Sequence, residues 1–177
     1  MGHLTFTRFT EGAGAQRLIL YLRGNGGGLV GEAINVASIF IPHGEIMSAE
    51  QRGRRRRVYM ARDDAIAPHI PMVVRVDHGT ASAAEIVSGA LRDRGRAEVV
   101  GQETYGKGVF QVAERLINGG ALDITVGKYF TPNGHHRGGV ARAGPGITPN
   151  VYALDDPETP PDEALAVAER TVASEAP

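Results

Sequence analysis

The chain contains no cysteine, which excludes disulfides, thiolate zinc sites and a cysteine nucleophile and leaves the redox compartment open. It has almost no net charge. Nineteen basic residues stand against 20 acidic ones, a balance that argues against broad electrostatic capture of nucleic acid or membrane. No apolar run approaches the roughly 18–20 residues of a membrane span, and no signal peptide precedes Leu4. Glycine, by contrast, is plentiful: 24 in 177 residues, clustered where backbone geometry should matter. The 42 % apolar share is enough for a sizeable core, and the length fits one domain over 1–177.

Strand and helix patterns alternate along the chain, which predicts the α/β class. Leu4–Phe9 alternates apolar and polar residues as a half-buried strand does, and Thr10–Gln16 follows as a turn. Arg17–Leu22 is a short buried-type strand and leads into the glycine-rich loop Arg23–Gly28. Leu29–Ile41 has helical spacing and is stopped by Pro42. Glu45–Ala49 and Val58–Ala61 read as strands flanking an arginine-rich turn, and Met72–Val76 as another buried strand. A helix from Ser82 to about Arg92 follows, then strands at Ala97–Val100, Val109–Val112 and Leu122–Phe130 and a terminal helix at about 162–172.

Three places could carry chemistry. Ser82 falls where a strand has ended and a helix begins. A hydroxyl there is exposed, the helix dipole favours negative charge, and the Ala83 amide is free to face an oxyanion. The commoner role for Ser82, or for Thr80, is a helix cap. Lys107 lies between two glycines in Thr104-Tyr105-Gly106-Lys107-Gly108, an unusual setting for a residue that prefers a solvated helix face. Gly101 to Lys107 satisfies G-x-x-x-x-G-K, but Gly108 stands where a magnesium-binding Ser or Thr belongs, and a strand follows in place of a helix. A plain surface turn is one reading. The other is a lysine that works as a neutral amine and takes the proton from a serine hydroxyl. The third place, Arg23–Gly28, is either a flexible turn or a source of backbone donors, because its three successive glycines permit close approach.

Taken in order, LRGNGGGL, VDHGTASAAEI and RDRGRAEVVGQETYGKGVFQ resemble the C-terminal processing (tail-specific) peptidases, serine endopeptidases with a Ser/Lys pair. The resemblance extends from about Arg17 to the end and includes KYFTPNG (128–134) and GITPN (146–150). It implies a crotonase- or ClpP-like β-β-α core, with Ser82 as nucleophile and Lys107 as general base, steadied by Gln111. It further implies oxyanion donors at Ala83 and in the Gly27/Gly28 pair, a supporting acid at Asp93, and no cofactor or metal. Implied partners are proteins with unstructured C-terminal tails and, as a possibility, further copies of the chain. The implied compartment is the cell envelope or periplasm. Relatives usually carry a long helix where Thr10–Gln16 stands and a PDZ domain before the core, neither of which is expected here. Tyr21 and Asn150 occupy positions where the family often has Asp. These departures motivate an alternative, a non-catalytic core that binds peptides or assembles with partners.

Other features read more plainly. Arg52–Arg57 carries five arginines with only Tyr59 as an aromatic neighbour, which suits a solvated hairpin tip and not a nucleic-acid site. His135-His136 has no third ligand at metal spacing. His78 is near Ser82 in sequence, but no G-x-S-x-G elbow is present for a Ser-His-Asp arrangement.

Overall fold

The computed structural model describes residues 15–135, 144–154 and 162–174. The strand expected at Leu4–Phe9, most of the connection after it and His136 lie outside these residues.

The elements in chain order are β1 (Leu18–Tyr21), α1 (Val30–Phe40), β2 (Glu45–Gln51), β3 (Arg57–Met60), β4 (Met72–Val76), α2 (Ala83–Asp93), β5 (Glu98–Gly101), β6 (Val109–Arg115), β7 (Ala121–Phe130), β8 (Val151–Tyr152) and α3 (Glu163–Ser174). They form two four-stranded sheets. One is parallel in the order β1-β4-β5-β8, and the other is antiparallel in the order β3-β2-β7-β6.

The centre of the fold is β4, whose five residues are all buried. Alternate side chains of a strand point to opposite faces, so β4 serves two cores. Met72, Val74 and Val76 join the larger cluster with Ala37 and Phe40 of α1, Ile86, Val87 and Leu91 of α2, and Ile46 and Met47 of β2. Val73 joins the smaller one with Val100 of β5 and Ala164, Ala168 and Val172 of α3. Cover on both faces is why the strand reads as a nearly continuous apolar run.

Arg75 is the exception, with 0 % exposure. Its two terminal nitrogens each donate to an oxygen of Asp162 at 2.8 Å, and its guanidinium lies over the Tyr21 ring at 5.0 Å. The Arg75 hydrogen bonds hold the Asp162 carboxyl below the usual carboxylate range. Asp162 Oδ1 also accepts from the Leu165 amide at 2.6 Å and so caps α3.

The α/β expectation holds, with differences at the margins. Strand β6 continues to Arg115 instead of stopping at Val112, because its pairing with β7 extends as far as Arg115 and Ala121. Strand β8 was not foreseen. It is two residues long and follows Asn150, whose side chain and amide bond both main-chain groups of Val99. The arginine-rich segment does form the β2–β3 turn, and two arginines lie over rings: Arg56 over Phe130 at 5.1 Å and Arg57 over Tyr59 at 4.8 Å.

Candidate active site

Because β1, β4 and β5 run parallel, the segments that follow them leave the sheet at one edge. These segments are the glycine loop 23–29, the approach to Ser82 and the loop carrying Lys107. In open α/β sheets that edge is where ligands bind, and the topology brings there three motifs that are far apart in sequence.

Ser82 has φ 56° and ψ −120°. A helix cap normally has extended backbone, so this is not the geometry of an ordinary cap. Residues held in such regions store about 1–3 kcal/mol of strain, which surrounding structure must over-determine. Here the glycine loop contributes. Gly27 is buried at φ +95°, and a Cβ on it would lie 2.6 Å from Ala81 O, 2.8 Å from Ala83 N and 2.8 Å from Ser82 Cβ. Only glycine lets the loop close on the serine.

The two neighbouring glycines differ. Gly27 donates its amide to Asn25 Oδ1 at 2.9 Å. Gly28 is exposed, and its N–H meets no acceptor among the described residues. Ala83, the first residue of α2, is buried, but its N–H likewise meets no acceptor among the described residues.

The residue that joins the parts is Glu85, fully buried in the first turn of α2. Its Oε2 accepts from the Ser82 amide at 2.8 Å and the Lys107 amide at 2.9 Å. Its Oε1 accepts from the Gly106 amide at 2.7 Å and from Thr104 Oγ1 at 2.5 Å. These four donors engage both oxygens of the carboxylate. The main chains of Ser82 and Lys107 therefore pass within two hydrogen-bond lengths of each other. Behind them, buried Tyr129 donates its hydroxyl to Ser82 O at 3.3 Å. Burial, together with the charge and hydrogen bonding of Glu85, pushes that phenol well above its ordinary value.

The side chains are held less firmly than the main chains. Lys107 is half-buried, and its Nζ donates to Gln111 Oε1 at 3.4 Å on an exposed stretch of β6. No hydrogen bond joins Lys107 Nζ to Ser82 Oγ among the described residues. The lysine loop is fixed from its far side: Gly106, at φ +83°, would carry a Cβ 2.0 Å from Gly144 O. Thr104 Oγ1 also accepts from the Ile147 amide at 2.7 Å, which accounts for the GITPN segment.

Asp93 lies at the other end of α2, about 16 Å along the helix axis from Ser82. Its side chain is 1 % exposed, takes Arg92 Nη2 at 2.9 Å and accepts the Asn133 amide at 3.1 Å. Its setting is a helix terminus and the turn after β7, not the site. His78 is exposed, and its ring packs 6.0 Å from that of Tyr105. Among the described residues no group of three His, Cys, Asp or Glu is placed to hold a metal ion.

Residues 5–153 match the profile of peptidase family S41. The chain belongs to that family. Among its S41 relatives, the chloroplastic C-terminal processing peptidase of Tetradesmus obliquus is 35 % identical over 97 % of this chain and 35 % of its own length. The carboxyl-terminal-processing protease of Synechocystis is 42 % identical over 71 % of this chain and 29 % of its own length. Among solved structures, the photosystem II D1 C-terminal processing protease superposes with TM-score 0.72 at 34 % identity, covering 93 % of this chain and 41 % of that one. The chain thus spans about a third of the length of the S41 relatives it matches. Likeness to such peptidases also meets the expectation of a ClpP- or crotonase-like core.

Two departures from the family pattern have structural accounts. Tyr21 offers its ring to both Arg75 and Arg23, the latter at 5.9 Å. Asn150 bonds β5 through both its side chain and its amide.

Glu85 and Tyr129 were not singled out in sequence, although both lie within quoted motifs. A signal for Glu85 existed: Ser82-Ala83-Ala84-Glu85 is an S-x-x-E pattern at a helix start. For Tyr129 there was only strand alternation.

Proposed function

We propose that the chain is the core of a serine endopeptidase that cleaves unstructured, C-terminal regions of proteins, with Ser82 as nucleophile and Lys107 as general base. The observation that carries the reading is the contact of three loops at one sheet edge: Gly27 packed on a strained Ser82, and Glu85 binding the Ser82 and Lys107 main chains together. The family supplies the peptidase class, and the names of the relatives supply the carboxyl-terminal substrate region.

In this mechanism the Lys107 side chain swings from Gln111 to Ser82 Oγ and takes its proton as Oγ attacks the scissile carbonyl. The negative oxygen is met by the N–H groups of Ala83 and Gly28, a contribution of about 3–4 kcal/mol per donor. Gln111 holds the lysine between turnovers. Protonated Lys107 then donates to the leaving amine, and water, deprotonated by the same lysine, releases the acyl group. Asp93 supports the far end of α2. The compartment implied is the cell envelope.

The test is cleavage of an unfolded, apolar-tailed reporter, read by mass spectrometry between about pH 7 and 9. Ser82→Ala and Lys107→Ala should each abolish cleavage while leaving the fold intact, and turnover retained by either sinks the assignment. A second reading, a peptide-binding core without hydrolysis, draws on the Lys107 Nζ hydrogen bond to Gln111 in place of one to the serine hydroxyl among the described residues. A serine-directed covalent probe separates the two, since it labels Ser82 only where the pair is organised.

A further inference from the structure

The proposed oxyanion donors come from two loops, and one side chain outside that machinery touches both. Asp77 follows β4 directly. Its Oδ1 accepts from the Gly24 amide at 2.9 Å and from the Gly79 amide at 2.9 Å, and lies 3.2 Å from Thr80 Oγ1. Gly24 opens the loop that ends at Gly28, while Gly79 and Thr80 lead into Ser82. The loops come so close that a Cβ on Gly79 would stand 3.1 Å from Gly24 Cα. Two further bonds cross the same seam, from Thr80 Oγ1 to Leu22 O at 2.8 Å and from the Ala81 amide to Asn25 O at 2.9 Å.

The bond to Gly79 is that of an ordinary Asx turn, for which Asp, Asn and Ser all serve. The bond to Gly24 is different. It reaches 53 residues back along the chain and does nothing for the local turn. The carboxylate is also supported from behind. Arg23 Nε stands 3.7 Å from Asp77 Oδ2, and Arg23 Nη1 stands 3.6 Å from Asp162 Oδ2. Asp162 is itself gripped by buried Arg75. A chain of opposite charges thus runs from the start of α3 to the glycine loop.

We propose that Asp77 is a positioning residue: its carboxylate clips loop 24–28 to the segment entering Ser82, so that the Gly28 and Ala83 N–H groups converge on one point. The catalytic part of this inference rests on the peptidase reading above, and the clip itself does not. Misplacing a reacting group by about 1 Å costs on the order of 100-fold in rate. Loss of the clip should therefore lower kcat by roughly 10- to 100-fold with KM nearly unchanged.

The test compares three variants of the whole chain with the parent by reporter kinetics and by NMR amide exchange at residues 24–28. Asp77→Ala removes both bonds. Asp77→Ser keeps the local turn but cannot reach Gly24, and it serves if the alanine variant does not fold. Asp77→Asn leaves an amide oxygen at Oδ1, an acceptor for both amides.

Faster exchange at 24–28 and a lower kcat in the serine variant, both restored by asparagine, are expected. Exchange at 24–28 equal to the parent's in Asp77→Ser overturns the clip. Faster exchange with an undiminished kcat overturns its positioning role. If the parent shows no Ser82-dependent cleavage, the peptidase reading fails, and the exchange measurement alone then decides whether the clip exists.

Discussion

The two sheets are built to different standards. In the parallel sheet, β4 is buried along its whole length between α1 and α2 on one side and α3 on the other. In the antiparallel sheet, β6 and β7 form a hairpin whose outer two-thirds is exposed on both faces. Val112 lies opposite Ile124, and Leu122 opposite Glu114, so three apolar side chains share one face with nothing packed on it among the described residues. Ile117, near the turn, is wholly exposed. All three loops of the candidate site depend on the first region: each follows one of its strands, and the lysine loop is also tied to α2 by Glu85. Among the described residues the second region supplies Tyr129 and Gln111, from the end of the hairpin nearest the core. The candidate site and the exposed apolar surface are thus separated along the same two strands.

The sharpest way to break this comparison is to remove the tie between regions. Glu85→Ala orphans three amides and a hydroxyl in a buried setting, where each unsatisfied donor costs about 1–3 kcal/mol. Stability should fall by at least about 3 kcal/mol, a drop of roughly 6–12 °C in thermal midpoint, with cleavage lost. A midpoint within a degree of the parent's would show that Glu85 is not the joint described. The next contrast pairs two leucines. Leu91→Ala, at 0 % exposure under the parallel sheet, should cost about 3 kcal/mol. Leu122→Ala, at 50 % exposure on the hairpin, should stay within about 0.5 kcal/mol. Urea denaturation of both variants measures the difference, and equal losses would mean that the hairpin is as much a part of the core as α2.

The sequence was most legible where one residue type has one physical use. Met72–Val76 could be read as a doubly covered strand, and Pro42 closed α1 where expected. The glycine loop showed that backbone came close to something, although not to what. Ser82 and Lys107 stand out as candidates through motifs, since each alone suits a cap or a turn. Illegible were the bonds that depend on folding. Nothing local indicates that Glu85 answers Lys107, that Asp77 reaches Gly24, or that Arg75 finds Asp162. An acid in a first helical turn already has a sufficient local use with the dipole, which conceals the long-range one. Strand β8 was missed because two residues show no periodicity at all.

The smallest expected effect concerns the second joint between the regions, at Asp93. Burial pushes its carboxyl up, but the Thr131 hydroxyl, the Arg92 guanidinium and the Asn133 amide outweigh that and hold it below the ordinary aspartate value. The native state then releases this proton more readily than the unfolded chain, so the group stabilises the fold above the unfolded value of about 3.9. That contribution is lost as pH falls through the lower native value. Asp162, lowered by Arg75, acts in the same sense on α3. Asp93→Asn should therefore flatten the acid limb of the stability curve below about pH 4 while changing its shape little at pH 7. Urea midpoints from about pH 2.5 to 7 test this. Because Asp93 accepts from the Asn133 amide in the turn after β7, while buried β4 keeps its cover of α1 and α2, acid should loosen the antiparallel sheet before the parallel one. Amide exchange at low pH that rises first in β4 and β5 would reverse the ranking of the two sheets on which the comparison stands.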